Sequence, residues 1–90
     1  MSNVKVLRVK ADSPVTNLAG SIVRAITEEG VDVELRAIGA ASVSQAVKAI
    51  GAASGTLATK AKTLLSQIGF DETVIDENTK TVMVFKLVVR

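Results

Sequence analysis

Within its first 38 residues the chain switches its hydrophobic period from two to between three and four and back again, an order that few folds accommodate. Residues 4–10, Val-Lys-Val-Leu-Arg-Val-Lys, are rich in valine and alternate imperfectly. They suit a central strand with Leu7 and Val9 on one side and Arg8 and Lys10 on the other. The turn Ala11-Asp12-Ser13-Pro14 then opens a helix. Ser13 is placed to cap it, Pro14 to take the first helical position, where a missing N–H costs nothing, and Asp12 to meet the positive end of the dipole. Val15, Leu18, Ala19, Ile22, Val23 and Ile26 form one apolar stripe, and Gly30 ends the helix as a left-handed cap. Residues 31–38 alternate cleanly, with Val33, Leu35 and Ala37 opposite Asp32, Glu34 and Arg36, as a strand covered on one face does. The result is a β-α-β unit, whose crossover allows parallel strands and is right-handed in nearly all cases.

The next stretch, residues 36–55, contains no acid and holds the hexapeptide Ala-Ile-Gly-Ala-Ala-Ser twice, at 37–42 and 49–54. The copies fall in different contexts, a strand end and a helix end, and a spacing of 12 residues matches no solenoid or heptad period, so the repeat is read as chance. Gly39 breaks the strand. Ser42 or Ser44 then caps a second helix with Val43, Ala46, Val47, Ile50 and Ala53 inward and Gln45 and Lys48 outward. The small residues suggest close backbone approach, and Gly51 costs roughly 1 kcal/mol relative to Ala unless something packs against it. Residues 56–70 are open. Leu57, Ala61, Leu64, Leu65 and Ile68 fit a helix face, whereas Leu64, Ser66, Ile68 and Phe70 fit a strand face. The end of the chain reads as a hairpin: 72–75, a turn at 76–80, and 81–89 with Met83, Phe85, Leu87 and Val89 on one face. The other face, Val82, Val84, Lys86, Val88 and Arg90, is too apolar for open solvent and calls for a cover.

Ninety residues form one domain near the lower size limit for independent folding. With only Phe70 and Phe85 aromatic, the core is built from Ala, Val, Ile and Leu, and modest stability or an oligomer is expected. The absence of Cys and His removes thiolate chemistry, disulfides and the commonest general base and zinc ligand. No cofactor, metal or small-molecule substrate is evident. No apolar run is long enough to span a bilayer and the start of the sequence has no signal-peptide pattern, so no membrane association and a cytoplasmic address are expected.

Eight of the nine acids lie in two groups, Glu28, Glu29, Asp32 and Glu34, then Asp71, Glu72, Asp76 and Glu77. Residues 35–70 carry Arg36, Lys48, Lys60 and Lys62 and no acid. The acid pairs Glu28/Glu29 and Asp71/Glu72 are read as solvated surface, and Ser42, Ser44 and Ser54 have no His to make them nucleophiles. Gly39-Ala40-Ala41-Ser42, ahead of a helix, is able to offer backbone N–H groups to an anion, although it matches neither a P-loop nor a dinucleotide fingerprint; plain capping is the preferred reading. Without aromatic platforms, any nucleic acid is held by its backbone.

The segments Val6-Leu7-Arg8-Val9, Ser13-Pro14, Leu18-Ala19-Gly20, Ala37-Ile38-Gly39-Ala40, Gln45-Ala46-Val47-Lys48-Ala49, Gly55, Phe70, Ile75-Asp76 and Lys86-Leu87 resemble the stage V sporulation protein S (SpoVS) family along nearly the whole chain. The resemblance implies the fold of the Alba family of chromatin and RNA-binding proteins. That is an α/β chain in a two-layer α+β arrangement, β-α-β-α-β-β, with a mixed four-stranded sheet, two helices on one face and a single domain over 1–90. It also implies a third strand starting near Thr63 and running toward Ile75. Ser13-Pro14-Val15-Thr16-Asn17 looks like the Alba loop in which lysines before the proline contact nucleic acid, but here those positions are Asp12 and Ser13. The basic residues of the Alba turn are replaced by Ile38 and Ala40. Nucleic-acid binding is thus implied by the fold, while these residues make it weak, move it to another surface, or remove it.

Together these readings lead to an expectation of a non-enzymatic, oligomeric, DNA- or RNA-associated regulator, in the family's case of sporulation and cell division. Lys10 and Arg36 are the first candidates for phosphate contacts, with Arg8, Lys48, Lys60, Lys62 and Lys86 after them. The alternative is a homo-oligomeric interaction module of the same fold without nucleic acid, assembling through Val82, Val84 and Val88.

Overall fold

Parallel pairing of the first two strands organises the molecule, which the computed structural model describes over residues 3–90. β1 (Val4–Val9) and β2 (Asp32–Ala37) pair in parallel, from Val4 beside Asp32 to Val9 beside Ala37. Their crossover is α1 (Val15–Arg24), which runs into one π-helical turn at Ala25–Glu29. α2 (Ala40–Ala58) follows β2, and β3 (Leu64–Ile75) and β4 (Asn78–Val89) close the chain as a long antiparallel hairpin. β4 also pairs antiparallel with β2, giving the strand order β1-β2-β4-β3 in a mixed four-stranded sheet. β1 is therefore an edge strand and not the central one its valines suggested.

Both helices cover one face of the sheet. The alternation of β2 buries Val33, Leu35 and Ala37, and β4 adds Phe85 and Leu87 with Met83 and Val89 partly buried. Ala19, Ile22 and Ala25 come down from the first helical segment, flanked by Val15, Leu18, Val23 and Ile26 as the stripe requires. The inward face of α2 is Ser42, Ala46, Ala49, Ala53 and Leu57. Val43 and Ile50 are at its margin, and Val47 points outward. Alanines at the centre of this seam let the helix lie close to the sheet, so position, more than side-chain size, selects the inner stripe.

The helix starts differ from the sequence reading. Pro14 is the cap position of α1 and no side chain caps it; the Ser13 hydroxyl instead accepts from the Lys10 N–H at 2.8 Å, while the Ser13 N–H donates to the Lys10 carbonyl at 3.1 Å. Gly39 (φ 90°, ψ 156°), in a region open essentially to glycine alone, precedes α2, and Ser42 lies inside the helix. Gly30 takes the left-handed conformation expected of it, with φ 65°. Gly51 and Gly55 would meet nothing if given a Cβ, so no close approach explains them.

Residues 56–70 divide between the two readings. α2 continues to Ala58, a turn follows, and the strand begins at Leu64, close to the start that the resemblance implied. The hairpin turn is tighter than five residues. Ile75 pairs with Asn78 across Asp76 (φ 51°) and Glu77 (φ 66°), because two successive left-handed residues match the twist of the strands, and Asn78, Thr79 and Lys80 join the ladder. A glutamate in this conformation carries a steric cost of about 1 kcal/mol that glycine does not. Glu77→Gly is accordingly expected to raise the unfolding free energy by about 1 kcal/mol, seen as a higher urea midpoint with unchanged slope.

Candidate functional site

The carboxyl ends of β1 and β2 lie at one end of the sheet, where both helices begin and where ligands of parallel α/β units usually sit. The distal part of the β3–β4 hairpin extends past the same end, since β4 pairs with β2 only from Met83 to Leu87. A half-open groove of ≈ 530 Å³ lies there, lined by Arg8, Lys10 and Arg36, the aliphatic Ile38, Val74 and Ile75, and the hydroxyl residues Ser42 and Thr73, with no acid in its lining. The turn that carries Lys10 is fixed twice, by its own bonds to Ser13 and by Gln45 Nε2, which donates to the Ser13 carbonyl at 2.7 Å. Gln45, expected to point outward, thereby ties α2 to the loop after β1.

The seven basic candidates do not converge on one place. Arg8, Arg36 and Lys86 lie on the helix-free face, with Arg8 beside Arg36 in the ladder and Lys86 beside Glu34. Lys10 follows β1 at the groove. Lys48 is exposed on α2, and Lys60 and Lys62 occupy the turn after α2 at the opposite end of the sheet, where the helix C-terminus favours cations. Only Arg8, Lys10 and Arg36 share the groove.

Arg36 is already engaged. Its guanidinium donates to Glu34 Oε2 at 3.3 Å and to Asp71 Oδ2 at 3.2 Å. Asp71, and after it Glu34, holds the Arg36 pKa above its ordinary value. Asp71 is drawn below its ordinary value first by the Glu72 N–H, which donates to Asp71 Oδ1 at 2.8 Å, and then by Arg36. Since Arg36 pairs with Val84 and Asp71 with Val82, this ion pair reaches diagonally across β4 on the helix-free face. Val82 and Val84 beneath it are 3% and 7% exposed. The cover that their apolar character demanded comes from the chain's own charged side chains. Val88, the third interface candidate, stays exposed. Arg8 and Lys10 form no ion pair among the described residues.

The sequence did not point to Asp71, whose pairing with Arg36 depends on the hairpin register across 35 positions, nor to Thr73, Val74 and Ile75 as groove walls. It also did not show that Ile68 and Phe70, on the helix side of the edge strand β3, would be left 61% and 76% exposed. Among the described residues no group of three or more His, Cys, Asp or Glu is placed to hold a metal ion, and no helix is long and apolar enough to cross a membrane.

The Asp71 pairing has a pH signature. A carboxyl whose folded pKa is depressed stabilises the fold fully above the ordinary value of 3.8 and loses that stabilisation as pH falls through the lower folded value. Thermal melts of the parent and Asp71→Asn proteins are expected to differ most at neutral pH and to converge in acid as the parent's carboxyl is protonated.

Comparison with known proteins bears on this geometry. No curated protein matches the chain. Alba from Thermoplasma volcanium has the same fold, with a TM-score of 0.63 over 97% of this chain and 98% of that one, at 11% sequence identity. The model of the family described as Stage V sporulation protein S (SpoVS) matches residues 5–90, and with the β-α-β-α-β-β fold in place around the Gly39 turn, the chain belongs to the SpoVS family.

Proposed function

We propose that the protein is a non-enzymatic, sporulation-related regulator that holds the backbone of DNA or RNA as an oligomer. The observation that carries this reading is the pair of unneutralised cations, Arg8 and Lys10, in a groove without acids at the end of the sheet where both helices start. Phosphates are attracted there by the side chains and by the helix dipoles together. Arg36 is a supporting residue in this scheme: it shapes the groove wall, with its charge shared between Glu34 and Asp71. Lys48, Lys60, Lys62 and Lys86 add long-range attraction from other surfaces. The low number of free cations in the groove implies weak, salt-sensitive binding.

An electrophoretic titration with duplex DNA and with RNA at low salt tests this. Binding is expected at or below the order of tens of micromolar, as for non-specific association. Replacing Arg8 and Lys10 together by Gln is expected to lower the dependence of log K on log salt by roughly two units, at about 0.9 per phosphate contact. No binding by the parent protein in this range would sink the proposal.

A second reading, an assembly module of the same fold without nucleic acid, is favoured by Ile68 and Phe70. They lie exposed on the helix side of an unpaired edge strand, and Leu65 and Val88 add apolar surface on the other face. Such surface is usually covered by a partner. Of the residues first considered for this interface, Val82 and Val84 are enclosed by their own chain, so Phe70→Glu probes association without touching the core. Light scattering is expected to give a dimer or larger species for the parent protein and a smaller one for Phe70→Glu. A parent protein that is monomeric at all concentrations contradicts the oligomeric part of both readings.

A further inference from the structure

The groove has a feature that backbone contact with a polymer does not use. Ser42 is 6% exposed, yet it lines the groove, and its hydroxyl takes part in none of the side-chain hydrogen bonds among the described residues. The hydroxyls of Ser21, Thr27 and Thr56 donate to the carbonyl one turn back. Ser42 makes no such bond, and neither do Thr16, Ser44 and Ser54. It belongs to the first turn of α2, whose cap residue is Gly39 and whose first N–H groups have no side-chain cap. The first intrahelical bond is Val43 N–H to the Gly39 carbonyl at 3.0 Å, which leaves the N–H groups of Ala40, Ala41 and Ser42 without an intrahelical acceptor. Ile38 and Ser42, on either side of this turn, both line the groove.

We infer that this groove binds a phosphate monoester carried on a small organic body. Ser42, the one residue of the first turn of α2 that lines the groove, is the hydrogen-bond donor, and Lys10 and Arg8 are the counter-charges. A monoester suits this set better than a diester, because it carries up to two negative charges on three terminal oxygens, which two cations and a serine match. An organic body is required because ≈ 530 Å³ far exceeds one phosphate and the remaining wall, Ile38, Val74, Ile75 and Val82, is aliphatic. Such an arrangement, a few convergent polar groups beside an apolar wall, is typical of small-ligand sites. The site is preformed, since Gln45 fixes the Lys10 turn to α2. The inference does not depend on nucleic-acid binding. The same chemistry is presented by a free phosphorylated metabolite or by the 5′-terminal phosphate of a nucleic acid.

The test is a titration of the whole chain followed by amide chemical shifts, with adenosine monophosphate, adenosine, inorganic phosphate, and a short single-stranded oligonucleotide with and without a 5′-phosphate as probes. Adenosine monophosphate is expected to move the amides of Ala40, Ala41 and Ser42, and adenosine to leave them in place. Lys10→Gln and Ser42→Ala are each expected to weaken binding about tenfold, as loss of a hydrogen bond to a charged group does, with the rest of the spectrum unchanged. Occupancy by the mononucleotide alone identifies a free metabolite as the source, and a preference for the 5′-phosphorylated strand over its unphosphorylated form identifies a nucleic-acid end; both support the site. It is overturned if adenosine monophosphate leaves these amides unmoved at millimolar concentration, if adenosine moves them equally, or if inorganic phosphate binds as tightly as the ester. Duplex binding in the electrophoretic titration without a response here removes this inference and leaves the proposed function standing; the reverse pattern does the opposite.

Discussion

The register of β4 is the constraint on which the other features depend. It is paired on both sides, to β2 and to β3, and its alignment with β3 is set by two left-handed residues at the tip of the hairpin. Side chains alternate along a strand, so a slip of one residue would turn Phe85 and Leu87 away from the helices and bring Lys86 and Val84 against them. The observed register keeps Phe85 and Leu87 in the core. It also brings Asp71 within reach of Arg36 across β4, and it carries Thr73, Val74 and Ile75 to the end of the sheet where they wall the groove. Core, ion pair and groove are three consequences of one alignment.

The helix layer answers a different problem, that of building a core with almost no aromatic residues. Ala46, Ala49 and Ala53 are fully buried and contribute little area each, so close approach of α2 substitutes for bulk. The larger fully buried side chains are Phe85, Ile22, Leu35, Leu57, Leu87 and Val33. What remains outside is as informative. Ile68 and Phe70 belong by alternation to the helix side, but they lie on the edge strand β3 past its buried start at Leu64, and they are left exposed. The single chain thus has an apolar margin beside a well-covered centre.

Charge follows the same geometry. A net charge of +2 says little by itself, because much of the positive charge is either distant from the groove or already paired. Arg36 and Asp71 neutralise one another while shielding Val82 and Val84, an arrangement in which ionic side chains serve packing as much as electrostatics. The cations left unpaired at the groove, Arg8 and Lys10, face an aliphatic wall and a helix start without a side-chain cap.

Local chemistry determined the first elements and the terminal hairpin. The clean alternation at 31–38, the stripe from Val15 to Ile26 and the left-handed Gly30 were sufficient for a parallel β-α-β unit, while residues 56–70 stayed open and the whole fold came only as what the resemblance carried by the Ala-Ile-Gly-Ala and Gln-Ala-Val-Lys-Ala segments implied. These are properties of residues within about one turn or one strand of each other, which a sequence displays directly. Tertiary structure decided the rest: that β1 is at an edge, that Val47 faces out while Ala49 faces in, that Val82 and Val84 are buried within the single chain beside the Arg36–Asp71 pair, and that three of seven basic candidates share one groove. Each of these depends on the pairing of segments far apart in the chain, and side-chain type carries no record of which distant strand will lie alongside.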